Sequence, residues 1–347
     1  MTIGLVDVDG HNFPNLCLMK ISAYHKRNND TVEWHDPEKE YDIVYMSKVF
    51  SDTYSPDYHK PIKAKRVFRG GTGYAISTIG GKEVFDKSKD KPLPDEIEHI
   101  YPDYSLYPEY TGYGRQLRAQ KAFGYLTRGC PRGCSFCHVA VKEGKCSYKV
   151  ADLSEFWNGQ GHICLNDPNI LACKDWKDLF QQLIDSNARI EFNQGLDARL
   201  ITPEKAKMLA SMKIENPHFA MDTMQSIEPV SRGLKLFVNA QKDRGRKWSW
   251  RRAKVFLLTN FNTNHTQDME RIRAIQECEC HPYVMIYDKP SAPKITRRLQ
   301  RWTNHTLFYA HYSDFYEFQA NNYKEVIWSD NSITDLQTKC LRLLETL

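Results

Sequence analysis

Three cysteines lie within eight residues of one another, at Cys130, Cys134 and Cys137, directly after a short apolar run. Thiolate sulfur is a soft ligand that selects zinc, Cu(I) or iron-sulfur clusters. Three thiolates at this spacing can bind one face of a metal centre and leave its last position to another group. The spacing therefore predicts a metal centre at residues 130–137.

The identity of that centre depends on where a further ligand comes from. A structural zinc site is normally closed by a second pair of cysteine or histidine ligands. The chain offers Cys278 and Cys280, whose one-residue gap suits tetrahedral chelation poorly. Three protein ligands fit better with a four-iron cluster whose last iron stays open. Zinc binding, or cysteines with no metal role, remain the alternatives that the residues alone leave open.

Polar side chains recur at the carboxyl ends of the strands predicted after the cysteines, where barrel enzymes carry their chemistry. They are Asn166, Asp167, Gln194, Asp197, Arg199, Asp222, Asn260, Tyr287 and Asp288. Asp and Asn are also common turn residues, so the recurrence, more than any one residue, predicts a site. Asp222 and Asp288 are the candidates for catalytic proton transfer, although either can instead pair with Arg199.

A basic segment precedes the fifth of these strands. Residues 242–254 contain seven basic side chains and two tryptophans. A solvated turn is one interpretation. The other is an anion site, because arginine forks match phosphate and tryptophan faces stack on bases. On this second interpretation Arg246, Arg251 and Arg252, with Tyr287, are the predicted substrate contacts.

Regular alternation of strands and helices predicts the elements that position these residues. The predicted strands are 123–128, 162–165, 189–192, 219–221, 255–258 and 283–286, with amphipathic helices between them. One helix begins at Thr202 and Pro203, a capping residue followed by a first-turn proline. Six such units predict an α/β fold, a partial (β/α)6 barrel over residues 121–303, with the cysteines after its first strand.

The first 85 residues also alternate, with strands at 3–9, 31–34, 42–47 and 67–74 and a helix at 14–28. This pattern predicts a small parallel α/β domain of the flavodoxin-like type, whose ligands lie beyond the strand carboxyl ends. Asp9, His11, Ser47 and Gly70 to Gly73 fall there. Residues 86–120, rich in proline and tyrosine, are predicted to be a linker. Residues 304–347 are predicted to be an aromatic-rich C-terminal extension.

Composition is typical of a globular protein that keeps its thiols reduced. No apolar run approaches the length of a membrane span, and the amino terminus lacks the pattern of a secretory signal. We therefore expect a cytoplasmic protein with no membrane partner. The net charge of +5 is mild and does not by itself indicate nucleic-acid binding.

The motif Cys130-x3-Cys134-x2-Cys137, with Phe136 before the third cysteine, resembles the cluster motif of the radical S-adenosylmethionine (SAM) superfamily. The resemblance implies a partial barrel and a [4Fe-4S] cluster on these cysteines, whose open iron binds SAM. It also implies that an electron from the cluster cleaves SAM and that the resulting 5′-deoxyadenosyl radical abstracts hydrogen from substrate. The electron donor would be external, such as a flavodoxin or ferredoxin.

The same resemblance assigns SAM contacts to the strand ends. Where the family often has Gly-Gly-Glu after the second strand, this chain has Asn166 and Asp167, which we expect to meet the SAM amino group. Phe136 corresponds to the aromatic residue near adenine. The remaining SAM contacts predicted in this way are Gln194, Asp197, Arg199 and Asn260.

The first domain resembles the cobalamin-binding domain that precedes the radical domain in one branch of the superfamily. The family motif Asp-x-His-x-x-Gly appears here as Asp9 to Pro14, with proline in place of the last glycine. Proline has a ring where glycine has no side chain. We therefore expect a degenerate domain that forms one wall of the substrate site and binds no cobalamin.

By size, layout and the strand-end sequence 193–199, the chain is similar to the queuine lyases of queuosine salvage. This similarity implies a small nucleotide substrate, queuosine 5′-monophosphate, and release of queuine. The alternative within enzymes is a tRNA-modifying radical SAM enzyme that methylates or inserts sulfur; direct tRNA binding is not favoured at this net charge. A non-catalytic iron-sulfur or zinc protein is the alternative of another class.

Overall fold

The computed structural model describes residues 1–10, 13–80 and 82–328. Within these ranges the chain forms two compact units: the first holds the described residues of 1–194 and 212–215, and the second holds residues 195–211 and 216–328. In the described ranges, no helix has the length and apolar character needed to cross a membrane. The predicted division at residues 85, 120 and 303 stays a prediction.

The first unit begins with a four-stranded parallel sheet. Its elements are β1 (Thr2–Asp7), α1 (Leu16–Arg27), β2 (Thr31–Trp34), β3 (Glu40–Ser47) and β4 (Lys63–Gly70). The strand order is β2-β1-β3-β4 with every pair parallel. Apolar side chains on both faces explain this arrangement, since parallel sheets are normally covered on both sides. The predicted helix and the predicted strands 31–34 and 42–47 are therefore confirmed. The strand predicted at 3–9 ends earlier, at Asp7, and the strand predicted at 67–74 lies four residues earlier, at Lys63–Gly70. The flavodoxin-like classification stays a prediction.

The linker region is anchored by its tyrosines. It follows a hairpin of β5 (Ile76–Ile79) and β6 (Lys82–Phe85), and contains the short helices α2 (Asp95–Glu98) and α3 (Pro108–Thr111). The buried Tyr104 hydroxyl donates to the Phe156 carbonyl at 2.5 Å and accepts from the Phe123 amide at 3.2 Å. Tyr107, also buried, donates to Asp7 at 2.6 Å. Both residues fasten the linker to strands on either side of it.

A second parallel sheet of the first unit follows the linker. In chain order come β7 (Lys121–Gly124), β8 (Thr127–Arg128), α4 (Val139–Lys142), β9 (Tyr148–Lys149), β10 (His162–Leu165), α5 (Trp176–Asp185) and β11 (Arg189–Phe192). After α6 (Pro203–Ser211), which belongs to the second unit, comes β12 (Lys213–Ile214), and the sheet order is β12-β11-β10-β7. The strand β12 was not predicted. Thr202 caps α6 as predicted, its Oγ1 accepting from the Lys205 amide at 3.3 Å.

The second unit contains a three-stranded parallel sheet ordered β13-β14-β15. Its remaining elements are β13 (His218–Ala220), α7 (Ile227–Asp243), β14 (Lys254–Thr259), α8 (His265–Glu277), β15 (His281–Ile286), α9 (Lys294–Asn304), α10 (Thr306–His311) and α11 (Phe315–Asn322). Phe237, Leu257 and Trp302 are among its buried core residues. Five of the six predicted strands, and residues 123–124 of the predicted strand 123–128, thus lie in parallel sheets; residues 127–128 form the separate antiparallel strand β8. Closure of the strands into one partial barrel stays a prediction.

Candidate functional site

The three cysteines lie on a loop that a small antiparallel ladder closes. Strand β8 pairs with β9, with Thr127 opposite Lys149. Inside the loop the Cys130 amide donates to the Gly144 carbonyl at 3.2 Å, and the Cys137 amide donates to the Cys134 carbonyl at 3.0 Å. Cys130 and Cys134 are half-buried and Cys137 is exposed. The ladder therefore presents all three thiols from one short, anchored segment, which is called the cysteine loop below (residues 129–147).

Glycine is required at the start of the cysteine loop. Gly129 has φ +80°, and a Cβ there would lie 2.0 Å from the Cys146 carbonyl oxygen. Gly133 also has a positive φ of +57°, but no atom lies within 4 Å of the position of its Cβ. Only Gly129 therefore combines a left-handed backbone with a close approach of another segment.

A charged clamp joins the two ends of the cysteine loop. Glu143 accepts from Arg128 Nη1 at 3.0 Å through one carboxylate oxygen and from the Gly129 amide at 3.0 Å through the other. The Arg128 guanidinium lies 3.5 Å from the centre of the Tyr125 ring. Charge-assisted hydrogen bonds of this kind are stronger than neutral ones, so the clamp holds the loop from both sides.

Asp167 is a buried acceptor for the backbone that leads into the cysteine loop. Its carboxylate accepts from the Leu126 amide at 3.2 Å, the Thr127 amide at 2.5 Å and the Thr127 hydroxyl at 2.6 Å. These bonds explain why the predicted strand 123–128 is divided into β7 and β8. Burial raises the pKa of Asp167 to about 6, against the lowering effect of these donors. The carboxylate thus has a structural task, and its predicted contact with SAM stays a prediction.

The other polar residues after β10 lie beside Asp167. Asn166 is buried and accepts from Asn193 Nδ2 at 2.9 Å. Asn169 Nδ2 lies 3.6 Å from the sulfur of Cys130, a contact that the sequence prediction missed. Its signal was present, because Asn169 belongs to the same polar segment that follows the strand. Amide donors to cysteine sulfur tune an iron-sulfur cluster, so the segment after β10 serves the cysteine loop.

The donor set fits a four-iron cluster better than a single ion. Among the described residues, no three Cys, His, Asp or Glu side chains converge where one metal ion could be held. A [4Fe-4S] cluster does not need such convergence, because each cysteine binds a different iron. Partial burial and then the charge of the neighbouring Cys130 raise the pKa of Cys137. Cys278 and Cys280 are buried and supply no second ligand pair at the surface.

The carboxyl edge of the first sheet is the other candidate site of the first unit. Asn15 Nδ2 donates to Ser47 Oγ at 2.9 Å, and burial raises the pKa of Asp7 against the lowering effect of Tyr107. A cavity of about 330 Å³ opens at this edge; its wall includes Asp7, Gly10, Trp34, His35, Tyr58 and Tyr107. His11, the predicted cobalt ligand of the family motif, lies outside the described residues.

The space beside two glycines of the predicted ligand turn is filled by backbone atoms of the chain itself. A Cβ on Gly71 would lie 2.3 Å from the Lys48 carbonyl oxygen, and one on Gly73 would lie 2.2 Å from the Phe50 carbonyl oxygen. The turn therefore packs against the segment after β3. Exposed apolar side chains stand at the same edge, with Val49 48% and Phe50 42% exposed. Exposed apolar side chains at the carboxyl edge of a parallel sheet are typical of a binding surface.

Lys142 joins the cysteine loop to that glycine turn. Its Nζ donates to Thr72 Oγ1 at 2.6 Å, and burial lowers its pKa. The helix that follows the cysteines and the turn that follows β4 are therefore linked by one hydrogen bond within the first unit. Phe136, at the centre of the motif, is half-buried, while Gln194 is exposed beyond β11.

In the second unit, several predicted residues meet at the carboxyl edge of its sheet. Asp197 and Arg199 pair with each other, with Arg199 Nε 2.7 Å from Asp197 Oδ1. Asp222 accepts from the Leu258 amide at 3.1 Å. Burial raises the pKa of Asp222, while that amide, Arg271 and Arg199 lower it.

The two remaining strand ends of this sheet are also in contact. Asn260 has φ +57° and donates to the Asp288 carbonyl at 2.9 Å. Tyr287 is 52% exposed, its ring 4.7 Å from that of Phe261, and Asp288 is exposed. The predicted basic residues are not part of this group: Arg246, Arg251 and Arg252 precede β14 and lie at the amino edge of the sheet. The structure therefore separates the predicted substrate contacts into two sets on opposite edges.

The mixed α/β fold resembles that of solved radical SAM enzymes. The structure of the radical SAM methyltransferase TsrM from Kitasatospora setae, with cobalamin and a [4Fe-4S] cluster bound, is similar with a TM-score of 0.54 at 12% identity, over 82% of this chain and 72% of that one. The radical enzyme OxsB, with aqua-cobalamin and SAM bound, is similar with a TM-score of 0.50 at 10% identity. That match covers 88% of this chain and 55% of OxsB, so the chain spans about half of that protein. No protein-family model matches the chain, and a search of curated proteins found no match to it.

These comparisons contradict the prediction that cobalamin has no part in this protein. The matched shares exceed what residues 121–347 alone make up, so the similarity extends into the first 120 residues. The prediction rested on Pro14 in place of one glycine. One loop position was too narrow a basis, because a flat cofactor at a strand-end edge is contacted by several loops at once.

Proposed function

We propose that this chain is a cobalamin-dependent radical SAM methyltransferase. The observation that carries the proposal is the cysteine loop, which follows the parallel strand β7 and is closed by the antiparallel pair β8 and β9, in a chain whose fold is similar to that of TsrM. The narrower prediction, release of queuine, has no support in the comparisons. The alternative set out beside it, methylation, agrees better with them.

The cofactors would be held by residues of the first unit. Cys130, Cys134 and Cys137 would hold a [4Fe-4S] cluster, which when reduced supplies the electron that cleaves SAM. Cobalamin at the carboxyl edge of the first sheet would supply a carrier for the methyl group. Phe136 and Asn166 are the SAM contacts proposed here, and Asp197, Arg199 and Asn260 of the second unit stay predictions in that role.

The chain's own residues orient and protect these groups. Asn169 donates toward the Cys130 sulfur, while Glu143 and Asp167 hold the backbone on either side of the cysteines. Val49 and Phe50 offer an apolar surface for a corrin face. In the second unit, burial raises the pKa of Asp222, which suits it to take a proton from a substrate. Asp288 is the exposed alternative for that step.

The partners belong to the proposal as well. A flavodoxin or ferredoxin would deliver the electron, and small nucleotides are the first substrate class to assay.

Anaerobic reconstitution tests the cofactor content first. The protein is loaded with iron, sulfide and hydroxocobalamin and then desalted. We expect stoichiometric cobalamin and about four irons per chain. Cys134→Ala should lose iron, and Cys146→Ala, a cysteine of the same loop outside the motif, should keep it. Loss of cobalamin on desalting would contradict the proposal.

The reaction is tested with methyl-deuterated SAM and dithionite on the loaded protein. We expect labelled methyl on the cobalamin fraction and consumption of SAM, both absent in Cys134→Ala. Queuosine 5′-monophosphate is added in a parallel arm. Free queuine in that arm, without methyl transfer, would replace the methyltransferase proposal by the lyase.

A further inference from the structure

The strongest concentration of charge in the chain is the segment from Lys242 to Lys254, which is called the basic turn. Seven cations against one acid, Asp243, give it a net charge of +6, more than the +5 of the whole chain. The other residues together are therefore slightly acidic. Such a contrast is an electrostatic footprint for a polyanion, which a mild overall charge conceals.

The basic turn is held in place by its tryptophans. Trp248 donates from Nε1 to the Glu279 carbonyl at 2.9 Å and packs edge-on against Phe237. Trp250 lies 4.9 Å from the His281 ring and 5.1 Å from the Tyr309 ring. Both rings are thus used for anchoring. Among the described residues, the basic turn therefore exposes no large apolar side chain.

The cations of the basic turn face solvent and are close to one another. Arg244, Lys247, Arg251 and Arg252 are exposed. Burial, and then the charges of Arg244 and Arg252, lower the pKa of Arg246, so these three guanidinium groups repel one another. Within the described ranges, Arg244, Arg251 and Arg252 form no ion pair with an acidic side chain, whereas Lys242 pairs with Glu279. Three of the seven cations therefore have no acidic partner in the part of the chain that the structure describes.

The position of the basic turn separates it from the chemistry of its unit. It leads into β14 at Lys254, the amino end, while Asp222, Asn260 and Asp288 follow the carboxyl ends of the same sheet. Strand β14 has six residues, so the two edges are roughly 20 Å apart. The basic turn is therefore too far from these strand ends to contact a group that reacts there, and it is a candidate docking surface.

We propose that the basic turn binds the phosphate backbone of RNA. Arginine forks match phosphate oxygens in pairs, and the exposed cations are mostly arginine. A protein partner would need apolar anchor residues at the centre of its interface, which the turn lacks. The exposed cations lie outside any long helix, since the turn contains only a single 3-10 turn at Trp250–Arg252 after the end of α7, and it has no two-stranded ribbon. It therefore lacks the elements that enter the major groove of DNA and suits RNA recognised by shape and backbone.

Fluorescence anisotropy with a labelled transfer-RNA transcript tests this surface on the reconstituted protein, without SAM or reductant. We expect binding that weakens steeply with salt. Arg251→Gln/Arg252→Gln should bind on the order of tenfold more weakly and show a salt slope smaller by about 2. The control Lys174→Gln/Lys207→Gln removes the same charge from two exposed lysines and should leave both quantities unchanged. Circular dichroism and the Tm verify that both variants fold.

Three results would overturn the inference. One is an equal loss in the control variant, which would show an effect of net charge alone. Another is equal affinity for a DNA duplex of the same length. The third is unchanged RNA binding in Arg251→Gln/Arg252→Gln together with weaker binding of a reduced flavodoxin, which would make the turn a protein docking surface. Because no cofactor reaction is measured, none of these results bears on methyl transfer.

Discussion

At the scale of single residues, the cysteines are organised by side chains that do not bind metal. Asp167 accepts three hydrogen bonds from residues 126 and 127, and Glu143 closes the other end of the cysteine loop. Both are acids whose oxygens are directed at backbone amides. The geometry of the motif therefore depends on acids lying six and thirty residues beyond the third cysteine.

The buried Asp167 should make stability depend on pH. Its pKa is raised from 3.8 to about 6, so between these values the folded protein keeps a proton that the unfolded chain releases. Stability from this residue is therefore present below about pH 4, falls as pH rises to about 6 and stays lower above it, by roughly 3 kcal/mol. Urea unfolding at several pH values should show this decline relative to Asp167→Asn, which does not titrate. Parallel pH profiles would contradict it.

Gly129→Ala should prevent assembly of the cysteine loop. The left-handed backbone costs a side chain about 1 kcal/mol, and the new Cβ would meet the Cys146 carbonyl at 2.0 Å. Gly133→Ala is the matched control, since it carries the backbone cost without a contact within 4 Å. Iron per chain after reconstitution should fall sharply for Gly129→Ala and little for Gly133→Ala. Similar losses in both variants would refute the role of the contact.

At the scale of elements, the strand ends behave differently in the two compact units. In the first unit the segment after β10 is turned toward the cysteine loop through Asn169 and Asp167. In the second unit the strand ends contact one another, as Asn260 does with the Asp288 carbonyl. Helix α7 of the second unit also lies very close to a neighbouring backbone segment, at Ala198.

Gly233→Ala in α7 should destabilise the protein even though alanine is the better helix former. Propensity alone predicts a gain of about 1 kcal/mol. The added Cβ, however, would lie 1.8 Å from the carbonyl oxygen of Ala198, a residue of the same unit. Relieving such an overlap typically costs about 1 to 3 kcal/mol, so we expect a net loss and a lower Tm. A raised Tm would show that α7 can move away without cost.

At the scale of the whole molecule, the first unit contains both the cysteine loop and the sheet proposed to carry cobalamin. These two features are almost sixty residues apart in sequence and are joined by the bond from Lys142 to Thr72. The second unit contains the basic turn. One chain thus combines a proposed two-cofactor region with a separate proposed docking surface, each described within its own unit.

The link between the two features of the first unit can be measured with a double-mutant cycle. Thr72→Val removes the acceptor for the half-buried Lys142, and Lys142→Met removes the donor and its charge. Each single variant should lose about 1 to 2 kcal/mol of stability, and the pair should lose less than the sum by about 1 kcal/mol. Urea unfolding gives these values. Strict additivity would mean that the bond contributes nothing.

Periodicity and spacing sufficed for much of the fold. The predicted strand 31–34 coincides with β2, and α5 begins at the predicted Trp176. Both could be predicted because burial of one face requires apolar residues at a regular spacing along the sequence. The division of strand 123–128 and the extra strand β12 were missed. The division depends on Asp167, which is about forty residues away in the sequence. Strand β12 depends on a two-residue pairing with β11, which is too short to show an apolar pattern.

The ligand types, their spacing and the order of strands and helices could all be predicted from the amino-acid sequence, because they follow from local chemistry and period. The contacts of each side chain could be known only once the chain was folded. The tertiary structure turned Asp167 to the backbone, filled the space beside Gly71 and Gly73 with the chain's own carbonyls, and put the basic turn at the amino edge of its sheet. The physical reason is that such contacts depend on strand register and layer packing, which join residues far apart in the chain.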